Sequence, residues 1–133
     1  MKSIGWYTSL LLLSMACLEP EVPSLVSGDW GGLHLGMVAT ATGADLEYDC
    51  AIGKISGGIR PDAGGRFSSV GEHFPGHGGP IRIDEQGERH PASYQGTVRG
   101  STMTVTVTLT DSNQVLGTFT LQRGASPRVF KCL

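Results

Sequence analysis

Apolar and polar residues alternate with a period of two along most of the chain beyond residue 30. The clearest stretch runs from Thr102 to Thr110, with Met103, Val105, Val107 and Leu109 on one face and Thr102, Thr104, Thr106, Thr108 and Thr110 on the other. Successive side chains of an extended strand point to opposite sides, so this pattern predicts a half-buried strand, whereas a helix would scatter the same residues around its circumference. After a turn at Asp111-Ser112-Asn113 a second strand is expected, with Val115, Gly117, Phe119 and Leu121 on one face and Leu116, Thr118, Thr120 and Gln122 on the other. The two read as a hairpin.

The same reading extends along the chain. Leu33, Leu35, Met37 and Ala39 share one face of a strand over residues 33–40, and Tyr94 and Val98 point inward from a strand over 92–99. Leu46, Tyr48, Cys50 and Ile52 share a face opposite Glu47 and Asp49, which directs Cys50 to the core. At the end of the chain Phe130 and Cys132 alternate with Val129 and Lys131 and read as an inward-facing strand. Weaker candidates cover residues 54–60, 65–71 and 80–84.

Turn-forming sequences separate these runs: Ala41-Thr42-Gly43, Arg60-Pro61-Asp62-Ala63-Gly64-Gly65, Asp84-Glu85-Gln86-Gly87, Arg99-Gly100-Ser101 and Gly124-Ala125-Ser126-Pro127. No helical pattern of about ten residues or more follows residue 16. Short connections favour antiparallel neighbours, so the expected fold is all-β, an antiparallel up-and-down meander of seven or eight strands closed into a small barrel. Closure removes the exposed sheet edges; a β-sandwich is the alternative.

Composition sharpens this picture. Twenty glycines in 133 residues is about double the usual share, as a turn-rich chain requires. The length allows one domain. The net charge is -2 and the ten basic residues are scattered singly, which argues against nucleic acid as a partner, because phosphate binding needs clustered Lys and Arg.

Near the start, Lys2 precedes an apolar block at Leu10 to Leu13 and then Ser14-Met15-Ala16-Cys17, the layout of a secretory signal. This divides the chain into a signal peptide over 1–16, a tether over 17–29 containing Glu19-Pro20-Glu21-Val22-Pro23, and a β domain over 30–133. The segment ending at Cys17 resembles the lipobox of bacterial lipoproteins, with Ser14 where that motif normally has Leu. The resemblance implies a lipid on Cys17, anchorage to the membrane, and, because Leu18 follows instead of Asp, an outer-membrane lipoprotein or a periplasmic one. Cleavage by an ordinary signal peptidase, giving a secreted protein, is the alternative. With Cys17 taken by lipid, Cys50 and Cys132 remain as an even pair in an oxidising compartment, and a disulfide between them is expected.

Gly28-Asp29-Trp30, at the entry to the first strand, resembles the Gly-x-Trp element of lipocalins and related calycins. That resemblance implies a calycin-like barrel in which Trp30 closes one end under a basic residue from the last strands, Arg123 or Arg128 here. It also implies a small apolar ligand; an envelope component is the other partner considered.

Candidate chemistry is sparse. Glu72, His73 and His77 lie in Glu72-His73-Phe74-Pro75-Gly76-His77 and offer imidazole and carboxylate groups to a metal or to a hydrolytic site, although structural zinc sites show tighter paired spacing. No Gly-x-Ser-x-Gly nucleophile motif is present, and no cofactor is expected. Glu47 and Asp49 fall on one strand face, where a solvated surface explains them as well as cation binding does. A binding or interaction module of the envelope is the leading expectation, with a small hydrolase or metal-binding protein, and a structural envelope protein, as alternatives.

Overall fold

The computed structural model describes Ser14 and residues 24–133 apart from Ile81 and Gln86. The expected signal peptide, Ser14 excepted, and the expected lipid site at Cys17 lie outside the described residues. Eight antiparallel strands follow in order: β1 (Gly28–Gly32), β2 (Leu35–Thr40), β3 (Gly43–Tyr48), β4 (Ala51–Ser56), β5 (Arg66–Pro75), β6 (His90–Arg99), β7 (Thr102–Leu109) and β8 (Gln114–Arg123). Each pairs with the next, and β8 returns to β1, so the sheet is a closed up-and-down barrel. The shape is compatible with a calycin-like fold.

Alternation places the core. Met103, Val105, Val107 and Leu109 are buried from β7, and Leu35, Met37 and Ala39 from β2, with Trp30, Tyr94 and Leu121 filling the interior between them. Thr106 on the outer face of β7 meets Thr118 across the strand pair, their hydroxyls 2.8 Å apart. Two outward positions paired across β1 and β2, Gly31 and Gly36, lack side chains for a steric reason. The segment after β8 folds back over them, and a Cβ on Gly31 would lie 2.2 Å from the Ala125 carbonyl oxygen, and one on Gly36 2.7 Å from the Pro127 ring.

That returning segment corrects the expected terminal strand. Beyond Arg123 the chain runs as a strap outside β1, held by Arg128 N donating to Gly32 O (2.9 Å) and His34 N donating to Arg128 O (2.8 Å), and makes only an isolated parallel bridge between Leu33 and Arg128. Cys132 reaches Cys50, and the expected disulfide is present across a sequence separation of 82. Its position differs from expectation. Tyr48 pairs with Ala51, which leaves Asp49 and Cys50 as a hairpin turn with Cys50 at φ 52°, so the bond staples the strap to one end of the barrel and not to its interior. A run read as one strand from Leu46 to Ile52 is therefore two, and Ile52 faces outward, half exposed.

Other differences have similarly local causes. Leu33 sits in the β1–β2 turn and is 52% exposed. Val107 pairs with Gly117 but Thr108 with Val115, so Leu116 is an extra residue, a β-bulge that turns Val115 outward while Phe119 and Leu121 keep their expected inward face. Residues 80–84, where described, form no strand; β5 instead extends to Pro75. A first strand precedes the one expected over residues 33–40 and begins at Gly28, where Gly28 and Asp29 pair with Ala39 and Val38. Ahead of it Val26 is buried and its N–H donates to Ile59 O at 3.0 Å.

Opening the Cys50–Cys132 bond frees a loop of 82 residues in the unfolded chain, worth about 4 kcal/mol of loop-closure entropy. A Cys50→Ser, Cys132→Ser double variant is expected to lose about that much stability, read as a lower urea midpoint with the β-sheet circular-dichroism signal retained before the transition.

Candidate functional site

The up-and-down course gives the barrel two unlike ends. One carries the chain entry at residues 24–27, the short β2–β3 and β6–β7 turns and the β4–β5 loop. Here the Arg123 guanidinium lies 4.6 Å over the centre of the Trp30 ring, and Trp30 pairs with Arg123 in register where β1 meets β8. The indole N–H donates to Ser27 O at 3.1 Å. Arg128, the other arginine considered for this place, is in the strap and joins the fold through its backbone.

The opposite end carries the β1–β2, β3–β4 and β7–β8 turns and the long β5–β6 connection, and it is open. A pocket of about 380 Å³ lies in this mouth, lined by His34, Tyr48, Asp49, Ala51, His73, Leu116, Gly117 and Phe119. The bulge creates part of it, since Leu116 and Gly117 sit at the pocket wall, where Gly117 leaves the inward position opposite Val107 without a side chain. Tyr48 meets His73 edge-on at 5.0 Å and Phe119 edge-on at 5.9 Å between ring centres, so the wall is mostly aromatic.

Behind this wall two polar atoms are shut off from solvent: His73 Nδ1 has no hydrogen-bond partner, and Tyr48 Oη lies beside the Tyr94 hydroxyl, which itself donates to Glu72 O at 3.0 Å. Burial, reinforced by the adjoining Tyr94, raises the Tyr48 phenol far above its usual range. Burial, with the charge of His90 across the strand pair as a smaller cause, lowers the His73 imidazole. Both groups are therefore neutral near pH 7.

All four histidines belong to the mouth end. His34 Nδ1 donates to the Asp49 carboxylate, which also accepts the Phe130 N–H at 2.7 Å, so one carboxylate joins two turns and the strap. His90 Nδ1 lies 2.7 Å from Asp111 Oδ2, linking β6 to the β7–β8 turn, with Glu88 3.7 Å from Nε2. His77 pairs with Glu85 inside the β5–β6 connection.

The residues considered for a metal are not brought together. His73 faces inward at 6% exposure, Glu72 beside it faces outward with Arg89 at 3.8 Å, and His77 is engaged by Glu85 and by Gly78 O. Among the described residues no three His, Cys, Asp or Glu side chains are placed to hold a metal ion. Glu47 and Asp49 do not share a strand face, because Asp49 lies in the β3–β4 turn. Sequence reasoning overlooked His34, Leu116 and Asp111 and took Tyr48 and Phe119 only as core. A single signal pointed to Tyr48, a phenol on an inward face that needs a partner for its hydroxyl; for His34 and Asp111 no local signal exists.

The site and fold together define a small up-and-down β-barrel with one plugged end and one open, aromatic-walled mouth. No family model matches the chain, and no curated protein or solved structure matches it significantly.

A buried hydroxyl that makes no well-formed hydrogen bond costs about 1–3 kcal/mol of lost hydration. Tyr48→Phe removes that hydroxyl and keeps the ring, so the empty barrel is expected to melt at the same temperature as the parent or higher by calorimetry.

The His90–Asp111 pair has a defined pH window. Hydrogen bonding to Asp111 raises His90, and hydrogen bonding to His90 lowers Asp111. A raised histidine contributes stability below its unfolded value and loses it as pH climbs through the folded value; a lowered carboxylate contributes above its unfolded value and loses it as pH falls through the folded one. Asp111→Asn is therefore expected to lower the melting temperature at about pH 5.5 and to have little effect at about pH 9, where His90 is neutral in either protein.

Proposed function

We propose that this chain is an exported binding module, held at the cell envelope through a lipid on Cys17, whose barrel mouth takes a small ligand. The observation that carries the reading is the open pocket of about 380 Å³ at the barrel mouth, walled by Tyr48, His73, Leu116 and Phe119. Its size falls in the range of small-molecule sites, and its mixture of apolar wall and few polar groups is what such sites contain. The rest of the barrel interior is filled by side chains such as Trp30, Tyr94, Met103 and Leu121, so the space inside the barrel lies at its mouth.

Export is supported by the signal-like start with its lipobox-like Ser14-Met15-Ala16-Cys17 and by the Cys50–Cys132 bond, a linkage that persists in oxidising compartments. A chain anchored at Cys17 enters the barrel at its plugged end.

Replacing Leu116 with Trp would fill the mouth from its outermost wall and leave the plugged end untouched. Thermal-shift and NMR titration against a library of one-ring fragments is expected to show binding to the parent and none to Leu116→Trp, with unchanged circular dichroism. Fragments that bind both proteins equally would count against the pocket. Intact mass of the protein recovered from membranes is expected to show acyl chains, and Cys17→Ser to release it unacylated.

A further inference from the structure

At the plugged end the up-and-down course collects Arg60, Arg66, Arg99 and Arg123, which are scattered singly along the sequence, against Asp29 and Asp62. Most of the described carboxylates, among them Glu47, Asp49, Glu85, Glu88 and Asp111, lie toward the mouth. The barrel is therefore polarised in charge along its axis, and its positive end is the one where the chain enters.

Two of these arginines share a site. Arg60 and Arg66 line one surface depression of about 540 Å³ together with Asp62, Ser68, Gln95 and Thr97. The loop between them is fixed: Asp62 Oδ1 accepts the N–H groups of Gly64 and Arg66, both at 2.9 Å, and Asp62 N donates to Arg66 O at 2.8 Å. One oxygen of the neighbouring carboxylate is thus spent on the backbone. Among the described residues neither guanidinium has an acidic partner, whereas Lys54 pairs with Asp45 at 3.6 Å and Arg89 with Glu72 at 3.8 Å. Two unpaired guanidinium forks beside hydroxyl and amide groups suit a phosphate, whose oxygens accept several hydrogen bonds at once.

The depression also lies close to the tether. Ile59, which precedes Arg60, is fully buried, and its carbonyl accepts the Val26 N–H at 3.0 Å. Val26 follows Cys17 by nine residues, a span of about 30 Å at most when extended. A lipid on Cys17 keeps this end of the barrel within about that distance of the headgroups. We infer that the depression between Arg60 and Arg66 binds the phosphate of an anionic lipid headgroup and seats the plugged end on the membrane, an inference that rests on the anchored reading above.

The test is co-flotation of the full chain as Cys17→Ser, which carries no acyl chain, with vesicles of phosphatidylcholine alone or of phosphatidylcholine mixed with phosphatidylglycerol. The chain is expected to partition onto the mixed vesicles about tenfold or more strongly than onto the neutral ones, and to lose that preference in about 1 M salt. Arg60→Gln with Arg66→Gln is expected to abolish the preference. Arg82→Gln with Arg89→Gln, which removes the same charge at the other end, is expected to keep it. In two-dimensional NMR, glycerol phosphate is expected to shift the amides of Arg66, Ser68 and Thr97. Equal partition onto both vesicles, or equal loss in the two double variants, overturns the inference. Shifts at these amides without any preference for the mixed vesicles overturn it too, and make the depression a site for a soluble phosphate. Intact mass separates this from the anchor: acyl chains on Cys17 with no vesicle preference would overturn the headgroup site alone, while vesicle preference without acyl chains would support the site and remove the anchor.

Discussion

The architecture depends on the joint between β1 and β8. It is the shortest pairing in the barrel, with Trp30 opposite Arg123 and Gly31 opposite Gln122, yet it turns an eight-stranded ribbon with two open edges into a closed surface. Two features make so short a seam hold. Gly32 carries no side chain where a Cβ would lie 2.1 Å from the Thr120 carbonyl oxygen, so the two backbones can approach. Trp30 is driven inside by its own large apolar area, and the Arg123 guanidinium covers its ring, so one residue from each partner strand is committed to the same contact.

Closure at β1–β8 delivers the chain to the outside of β1, and the strap follows from there. Gly31 and Gly36 leave a track for Ala125 and Pro127, Arg128 fastens the track to both sides of the β1–β2 turn, and the disulfide secures its end to the β3–β4 turn. The Asp49 carboxylate gathers the same region, accepting from His34 and from the Phe130 N–H. Three segments far apart in sequence are thus tied at the mouth, while its inner wall is left with an aromatic hollow. Rigid borders around an unfilled centre make a hollow that is formed in advance of any occupant.

The mouth end also holds a local conflict with stability. An imidazole buried without a partner, beside a phenol whose only neighbour for its hydroxyl is Tyr94, opposes folding, and an apolar pair of the same shape would fold more readily. Such conflicts collect at functional positions. The remainder of the interior shows no such conflict: Tyr94 spends its hydroxyl on Glu72 O, and the other large buried side chains at that depth are apolar or, like Trp30, hydrogen-bonded.

Strand identity, the inward face of β7 and the pairing of Cys50 with Cys132 were legible in the sequence, because alternation and cysteine parity are written in neighbouring residues and in simple counting. Where Cys50 points was not. Leu46 to Ile52 alternates as evenly as a single strand, and only the pairing of Tyr48 with Ala51 converts its middle into a turn. Likewise the face of Val115 depends on a bulge that exists only against Val107 and Thr108, and the meeting of Tyr48, His73 and Phe119 requires three strands held in one register. The sequence by itself determined most of the strands and the apolar face of β7, since period-two patterning is a local property of an extended chain, while the terminal run and the segment over 80–84, where described, alternate or lie between turns without forming strands. Tertiary structure alone decided which end is plugged, which is open and which side chains share the mouth, since register and closure are set by contacts between residues that no local pattern connects.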